Sequence, residues 1–174
     1  DEAFPGDIIG IPNHGTLRVG DTLTEDESIQ FTGLPNFAPE ILRRVVLVDP
    51  TKTKQLRKAL DDMAEEGVTQ VFYPSIGANW IVGVVGQLQL DVLISRLEVE
   101  YKVDARFEPS PWDTARWIAA DNPADLKAFV ETHKNATATD RDGAPVFMAK
   151  DLWELNFHEG RNPKIRFTAT KERT

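Results

Sequence analysis

The sequence of 174 residues contains no cysteine. Disulfides, thiolate metal sites and thiol nucleophiles are excluded, and a reducing cytosolic setting is the simplest expectation. No stretch approaches the roughly 18 consecutive apolar residues of a membrane span, so no membrane partner is expected. The chain opens Asp1-Glu2-Ala3-Phe4, acidic where a targeting leader would be basic, and without an initiator Met, which points to an absent upstream segment. No glycine is followed by lysine, so the Gly-Lys-Ser/Thr loop that cradles nucleotide phosphates is missing. The two Asp-x-x-Gly strings, Asp7 to Gly10 and Asp140 to Gly143, then read as turns. The three histidines, His14, His133 and His158, stand in unrelated contexts. No acidic cluster has calcium-loop spacing, and no Gly-x-Ser-x-Gly elbow exists. The expectation is a chain with no catalytic, cofactor-binding or metal-ligating residue of its own.

What is present is an ordinary globular composition, 41% hydrophobic and 28% charged, enough for a real core in one domain or one and a half. The net charge of −8 argues against a general nucleic-acid binder. The charge is uneven, however. Residues 1–44 hold eight acids against Arg18, Arg43 and Arg44, whereas Arg161, Lys164, Arg166, Lys171 and Arg173 near the end face only Glu172. Contact with phosphate is therefore expected to be local. Two groups of cations are candidates for it: Lys52, Lys54, Arg57 and Lys58 on a predicted helix, and Arg161, Lys164, Arg166, Lys171 and Arg173 in the tail.

The first forty residues read as turn-rich β structure. The run Ile8-Ile9-Gly10-Ile11 and short strands at Thr16–Val19, Thr22–Leu23 and Ile29–Phe31 are separated by Asn13-His14-Gly15 and Val19-Gly20-Asp21. Two or three such strands are marginal alone, and they look like the last strands of a β-barrel. A connector punctuated by proline follows, Gly33 to Pro39, in which Leu34, Pro35, Phe37 and Pro39 are candidates for a hinge or an interdomain staple. Beyond it the pattern alternates. A strand at Val45–Val48 precedes a helix begun by Asp49 and Pro50, with Leu56, Leu60 and Met63 on one face and Gly67 as its stop. Strands at Gln70–Tyr73 and Trp80–Val85 follow. A second helix then places Leu90, Ile94, Leu97 and Tyr101 on one face, and Val103, Ala105 and Phe107 alternate as a strand. This is the β-α-β-β-α-β order of a split β-α-β unit, a ferredoxin-like, α+β fold class. A strand at Ala115–Ala119 and a helix capped by Asn122 come next, burying Leu126, Phe129 and Val130. Strands at Val146–Ala149, Leu152–Phe157 and Ile165–Ala169 finish the chain. Arg116, Trp117 and Trp112 are expected in the core, with cation–π packing. No internal repeat is visible.

One string is specific as a signature. Gly83-Val-Val-Gly86-Gln-Leu88-Gln-Leu90-Asp91 carries a buried strand directly into a helix. The glycines would permit close strand–helix packing, and Asp91 would favour the N-terminal end of the helix dipole. The string is similar to a Gly-x-Gly-Glu-Leu-His-Leu run at the same junction in the third domain of elongation factor G. Further strings extend the likeness: Pro5-Gly-Asp-Ile-Ile-Gly10, Asn13-His-Gly-Thr16, Pro35-Asn-Phe-Ala-Pro-Glu40, Ile81 to Val92, Thr114-Ala-Arg-Trp117 and Thr170-Lys-Glu172. In order along the chain, they resemble the bacterial peptide chain release factor 3 family of translational GTPases, most weakly over Asn135–Asn162.

The resemblance implies that residues 1–42 are the last strands of a β-barrel second domain plus the connector. Residues 43–174 would be the third domain, with its split β-α-β core at 43–108 and an extension at 109–174. GTP or GDP, with magnesium, would belong to a GTP-binding domain outside this chain. The implied partners are the ribosome, that GTP-binding domain and, functionally, the class I release factors, whose departure the family promotes in the cytoplasm. The competing expectation is a ferredoxin-like module that binds a small ligand or regulates, and associates with itself. A cryptic enzyme, the third class, would need a catalytic pair that is not found.

Overall fold

A computed structural model describes residues 2–12, 17, 21–26, 28–29, 35–77 and 79–172, the last by its backbone alone. The described residues before position 35 form no strand, and Phe4, Ile8, Ile9, Ile11, Leu23 and Ile29 are exposed. The strand expected at Thr22–Leu23 is therefore absent, and the apolar run Ile8–Ile11 is not a strand. Strands this short need partners to cover their apolar face, and none is supplied there among the described residues. Most of Thr16–Val19 and Ile29–Phe31 lies outside the described residues. No closed barrel is seen among those that are described.

The first regular element is β1 (Pro35–Phe37), followed by β2 (Ile41–Leu47). Asp49 then accepts a hydrogen bond from the Thr51 amide at 3.0 Å, and Pro50 opens a single 3-10 turn leading into α1 (Thr53–Glu65). Leu56, Ala59, Leu60 and Met63 form the inward face of α1. The helix stops as Gly67 takes φ +76°, with its amide on Ala64 and that of Val68 on Met63, the paired bonds of a Schellman ending. β3 (Gln70–Pro74) and the wholly buried β4 (Ile81–Val84) lead to α2 (Gln87–Val99). The inward face of α2 is Leu90, Leu93 and Leu97. Ile94, expected on that face, is exposed, because the 3-4 spacing set by Leu93 rotates it outward. β5 (Ala105–Pro109) follows.

The same order then recurs. β6 (Thr114–Ala119) leads to α3 (Pro123–Thr132), whose cap Asn122 accepts from the Ala124 amide at 3.0 Å. β7 (Thr137–Asp140), β8 (Pro145–Ala149), α4 (Leu152–Arg161) and β9 (Arg166–Thr168) complete a second β-α-β-β-α-β series. The strand expected at Leu152–Phe157 is a helix. Asp151 caps it by accepting from the Glu154 amide at 2.7 Å, while the Glu154 carboxylate accepts from the Lys150 amide at 2.7 Å. That reciprocal capping outweighs the near-alternation of Leu152, Trp153, Leu155 and Phe157.

Eight strands form one sheet in the order β5-β2-β4-β3-β7-β8-β6-β9, antiparallel at every pairing. Numbered within their own series, the strands run 4-1-3-2 in the first half and 2-3-1-4 in the second. The topology is thus duplicated across the β3–β7 seam, although the sequence shows no repeat. Phe72 pairs with Asp140 and Tyr73 with Thr139, which keeps the two halves in phase. α1 and α2 cover Val71 and Val82, and α3 and α4 cover Phe147 and Ile118. Period-two alternation places all of these on one face of the sheet. On the opposite face Leu42, Phe72, Ile81, Ala138, Val146, Met148 and Trp117 form one cluster that spans the seam, with Ala38 and Trp112 packed against it. Among the described residues no helix is long and apolar enough to cross a membrane.

Candidate functional site

The connector is held by the tail. β1 pairs antiparallel with β10 (Thr170–Glu172), placing Pro35 opposite Glu172, Asn36 opposite Lys171 and Phe37 opposite Thr170. The Ala38 amide donates to the Ala169 carbonyl at 2.6 Å, and the Gln70 side-chain amide donates to the Phe37 carbonyl. This two-stranded ribbon is fixed to the sheet through Lys171, whose ammonium lies 2.7 Å from Asp140 Oδ2 and 2.8 Å from Asp142 Oδ2. Asp140 is buried and accepts from three further donors: the Trp117 indole at 2.9 Å, the Asp142 amide at 3.0 Å and the Ala144 amide at 2.8 Å. Burial alone would lower the pKa of Lys171, but the hydrogen bonds to Asp140 and Asp142 outweigh it, so the net direction is upward and the ammonium is kept charged.

Of the connector candidates, Leu34 lies outside the described residues. Pro35 and Phe37 are in β1, with the Phe37 side chain 61% exposed. Pro39 packs on the sheet. A Cβ built on Gly83 would meet Pro39 Cγ at 2.6 Å, its Cβ at 2.8 Å and Phe72 Cε2 at 3.0 Å. The expectation that Gly83 admits a helix is corrected, since what it admits is the connector. A Cβ on Gly86 would meet nothing within 4 Å, and that residue serves as the N-cap of α2 with no side-chain cap. Leu90 is buried and Leu88 exposed. Asp91 is exposed in the second turn of α2, beyond the reach of the strongest dipole interaction, which corrects the role expected of it.

The candidate cations divide by partner. Lys52 donates to the Lys102 carbonyl, which is presented by a residue in the left-handed conformation at φ +56°. Arg57 lies 3.8 Å from Asp61 and 5.2 Å from the Tyr73 ring centre. Lys54 and Lys58 are exposed, with no carboxylate within ion-pair distance among the described residues. In the tail, Lys164 is 3.3 Å from Asp125, Arg166 pairs with Asp121, and Lys171 is taken up by the clamp. Arg161 has its guanidinium 4.4 Å from the Phe157 ring centre. Arg173 lies outside the described residues. The tail group is thus largely absorbed internally, whereas Lys54 and Lys58 project freely from α1.

Between α1 and the β7–β8 turn lies an open cleft of about 400 Å³, lined by Arg57, Asp61, Tyr73, Thr139, Asp140, Arg141 and Gly143. Tyr73 donates to Asp61, and its phenol is pushed upward in pKa by burial and then by that hydrogen bond. Arg141 is 2.8 Å from Glu65. Every charged group lining the cleft has an opposite charge nearby, so the cleft joins the two halves through ion pairs. Among the described residues no group of three His, Asp or Glu is placed to hold a metal. Arg116 donates to Thr114 Oγ1 and the Ala115 carbonyl and packs on no aromatic face among the described residues, while Trp117 is buried and Trp112 packs on its cluster. Sequence reasoning missed Asp140, reading it only as part of a turn. Its partners lie 23 and 31 residues away, and no local pattern signals them.

The chain therefore presents a mixed α/β sheet, a connector locked to its own tail, and a short row of free cations on α1. The family model described as class II release factor RF3, C-terminal domain, matches residues 31–159, most of the sheet, the first three helices and most of α4. The match begins just before the clamped connector, and the chain belongs to the class II release factor RF3 C-terminal domain family.

Proposed function

We propose that this chain is the ribosome-docking and interdomain-coupling part of a peptide chain release factor 3, a GTPase that promotes departure of class I release factors during translation termination. The family match over residues 31–159 carries the reading. In it, residues 43–174 form a domain akin to the third domain of elongation factor G, its first half a ferredoxin-like unit, and residues 1–42 belong with a preceding β-barrel. GTP or GDP and magnesium are held by the GTP-binding domain, since no phosphate loop occurs here. The setting is cytoplasmic.

Coupling requires the connector to transmit orientation, and a connector paired with the tail and anchored at Asp140 is suited to that. Docking requires cations not already neutralised, and Lys54 and Lys58 meet the requirement. Co-sedimentation of the chain with ribosomes across a salt series tests this. Lys54→Glu with Lys58→Glu should weaken binding and lower the salt slope by about 0.7–0.9 for each phosphate no longer neutralised. Equal affinity and slope for the double variant would refute docking through α1, and no sedimentation of the wild-type chain would refute docking itself.

A further inference from the structure

The ribbon of β1 and β10 is held unequally on its two sides. The connector strand has anchors of its own. Pro39 is buried against Gly83, and Ala38 packs on the cluster that spans the seam. The Glu40 amide donates to the Val84 carbonyl at 3.1 Å, and the Phe37 carbonyl accepts from Gln70. None of these contacts involves the tail. The tail leaves the sheet after Thr168, the last residue paired with β6, and from there to Glu172 it has no large apolar residue. Ala169 and Thr170 are exposed. Apart from its main-chain pairing with the connector, what seats the tail among the described side chains is Lys171, 18% exposed beside Asp140 and Asp142.

Departure of β10 leaves the rest of the site satisfied. Asp140 keeps the Trp117 indole and the amides of Asp142 and Ala144, three donors that come from the sheet and its turn. A carboxylate held by several N–H donors stays ionised without a counter-charge. What opens is a main-chain edge at Pro35–Phe37, beside two carboxylates that share one ammonium. An extended segment adds to such an edge through its backbone, and side-chain pockets select its sequence. The selecting pocket here suits the compact point charge and long stem of a lysine. Its occupant is visible in the fold, because β10 fills it.

We propose that the connector edge and the Asp140–Asp142 pair form a docking groove for a lysine-bearing extended segment of another protein, which β10 occupies as a built-in competitor. The inference stands on the ribbon and not on ribosomal docking. A tethered tail has an effective concentration on the order of millimolar, so a free segment enters readily only where the tail is weakened. The test uses the full chain and, as probe, a fluorescent peptide reproducing residues 165–174, with binding read by anisotropy. Lys171→Met in the chain should let the peptide bind about tenfold more tightly than to wild type, since the tail then competes without its charged hydrogen bonds. A peptide carrying Lys171→Met should bind that variant about tenfold less well than the natural peptide, and Asp142→Asn added to the variant should weaken the natural peptide. Equal affinity for both chains, indifference to the lysine of the peptide, or no binding to the variant overturns the proposal. Amide hydrogen exchange reports whether the strand leaves alone. In Lys171→Met the Ala38 amide, which donates to Ala169, should exchange faster while the amides of β2–β4 and β6–β8 keep their protection. Loss of protection across the sheet would make the tail part of the fold instead of a removable occupant, and would equally overturn it. A dimer of the wild-type chain in sedimentation velocity at rising concentration, formed by exchanged tails and lost in Lys171→Met, would assign the groove to a second copy and overturn the choice of partner.

Discussion

At the scale of single residues, Asp140 is the position on which most depends. Its two oxygens accept from an indole, two amides and an ammonium contributed by three separate segments. Asp140→Ala would leave Trp117 and Lys171 without their acceptor in a largely buried setting, and should cost about 3 kcal/mol, readable as a shift in urea midpoint. His158 provides a test in pH. Burial, and then its neighbour His133, hold its pKa below the ordinary 6.5. The unfolded chain therefore takes up the proton first, and the stability linked to His158 is complete above pH 6.5 and declines as pH falls through and below it. Comparing His158→Gln with wild type should show a shallower loss of stability on acidification in the variant. Equal slopes would mean that burial of this ring is not coupled to its titration.

At the scale of elements, the legible parts were those with punctuation. The Asp49-Pro50 and Asn122-Pro123 starts and the Gly67 stop carry their own conformational reasons, and they appear where the sequence put them, apart from the 3-10 turn inserted before α1. β7 was invisible because Thr-Ala-Thr-Asp has no large apolar residue; it is a strand only because β3 and β8 flank it on both sides. α4 was misread because a run of apolar residues at mixed spacing fits either period, and its caps lie at positions easily taken for a turn. The helix now offers a simple check on its glycine. Gly160→Ala should raise stability by roughly 0.5–1 kcal/mol, since the added methyl meets open space and the unfolded chain loses freedom. A destabilised variant in thermal melts would show that the backbone there needs glycine for a reason its surroundings do not display.

At the scale of the whole molecule, the duplication could not be read from the sequence. Topology repeats through hydrogen-bonding order, while the residues that fill each half differ. The first half packs Leu, Val and Met under α1 and α2; the second uses Phe129, Phe147 and Phe167 with His133 and His158. The halves share the β3–β7 pairing and one continuous cluster on the opposite face, so neither can open without exposing apolar surface of the other. Unfolding should accordingly be a single transition, with far-ultraviolet dichroism and tryptophan emission superimposing in denaturant. Separated midpoints would show that the seam is too weak to join them. The candidate site was partly legible: the cations were found, but which of them remain free depends on partners up to 50 residues distant, as Lys52 and the Lys102 carbonyl illustrate.

The ribbon of β1 and β10 has a mechanical meaning. Because Pro35 lies opposite Glu172, the chain enters and leaves this part of the molecule at the same end of the ribbon. Tension between the two sides would load the backbone bonds one at a time, as a zipper, and would meet Lys171 beside its two aspartates one step in. Such a fastening yields to a modest pull at its open end while resisting a sideways slide.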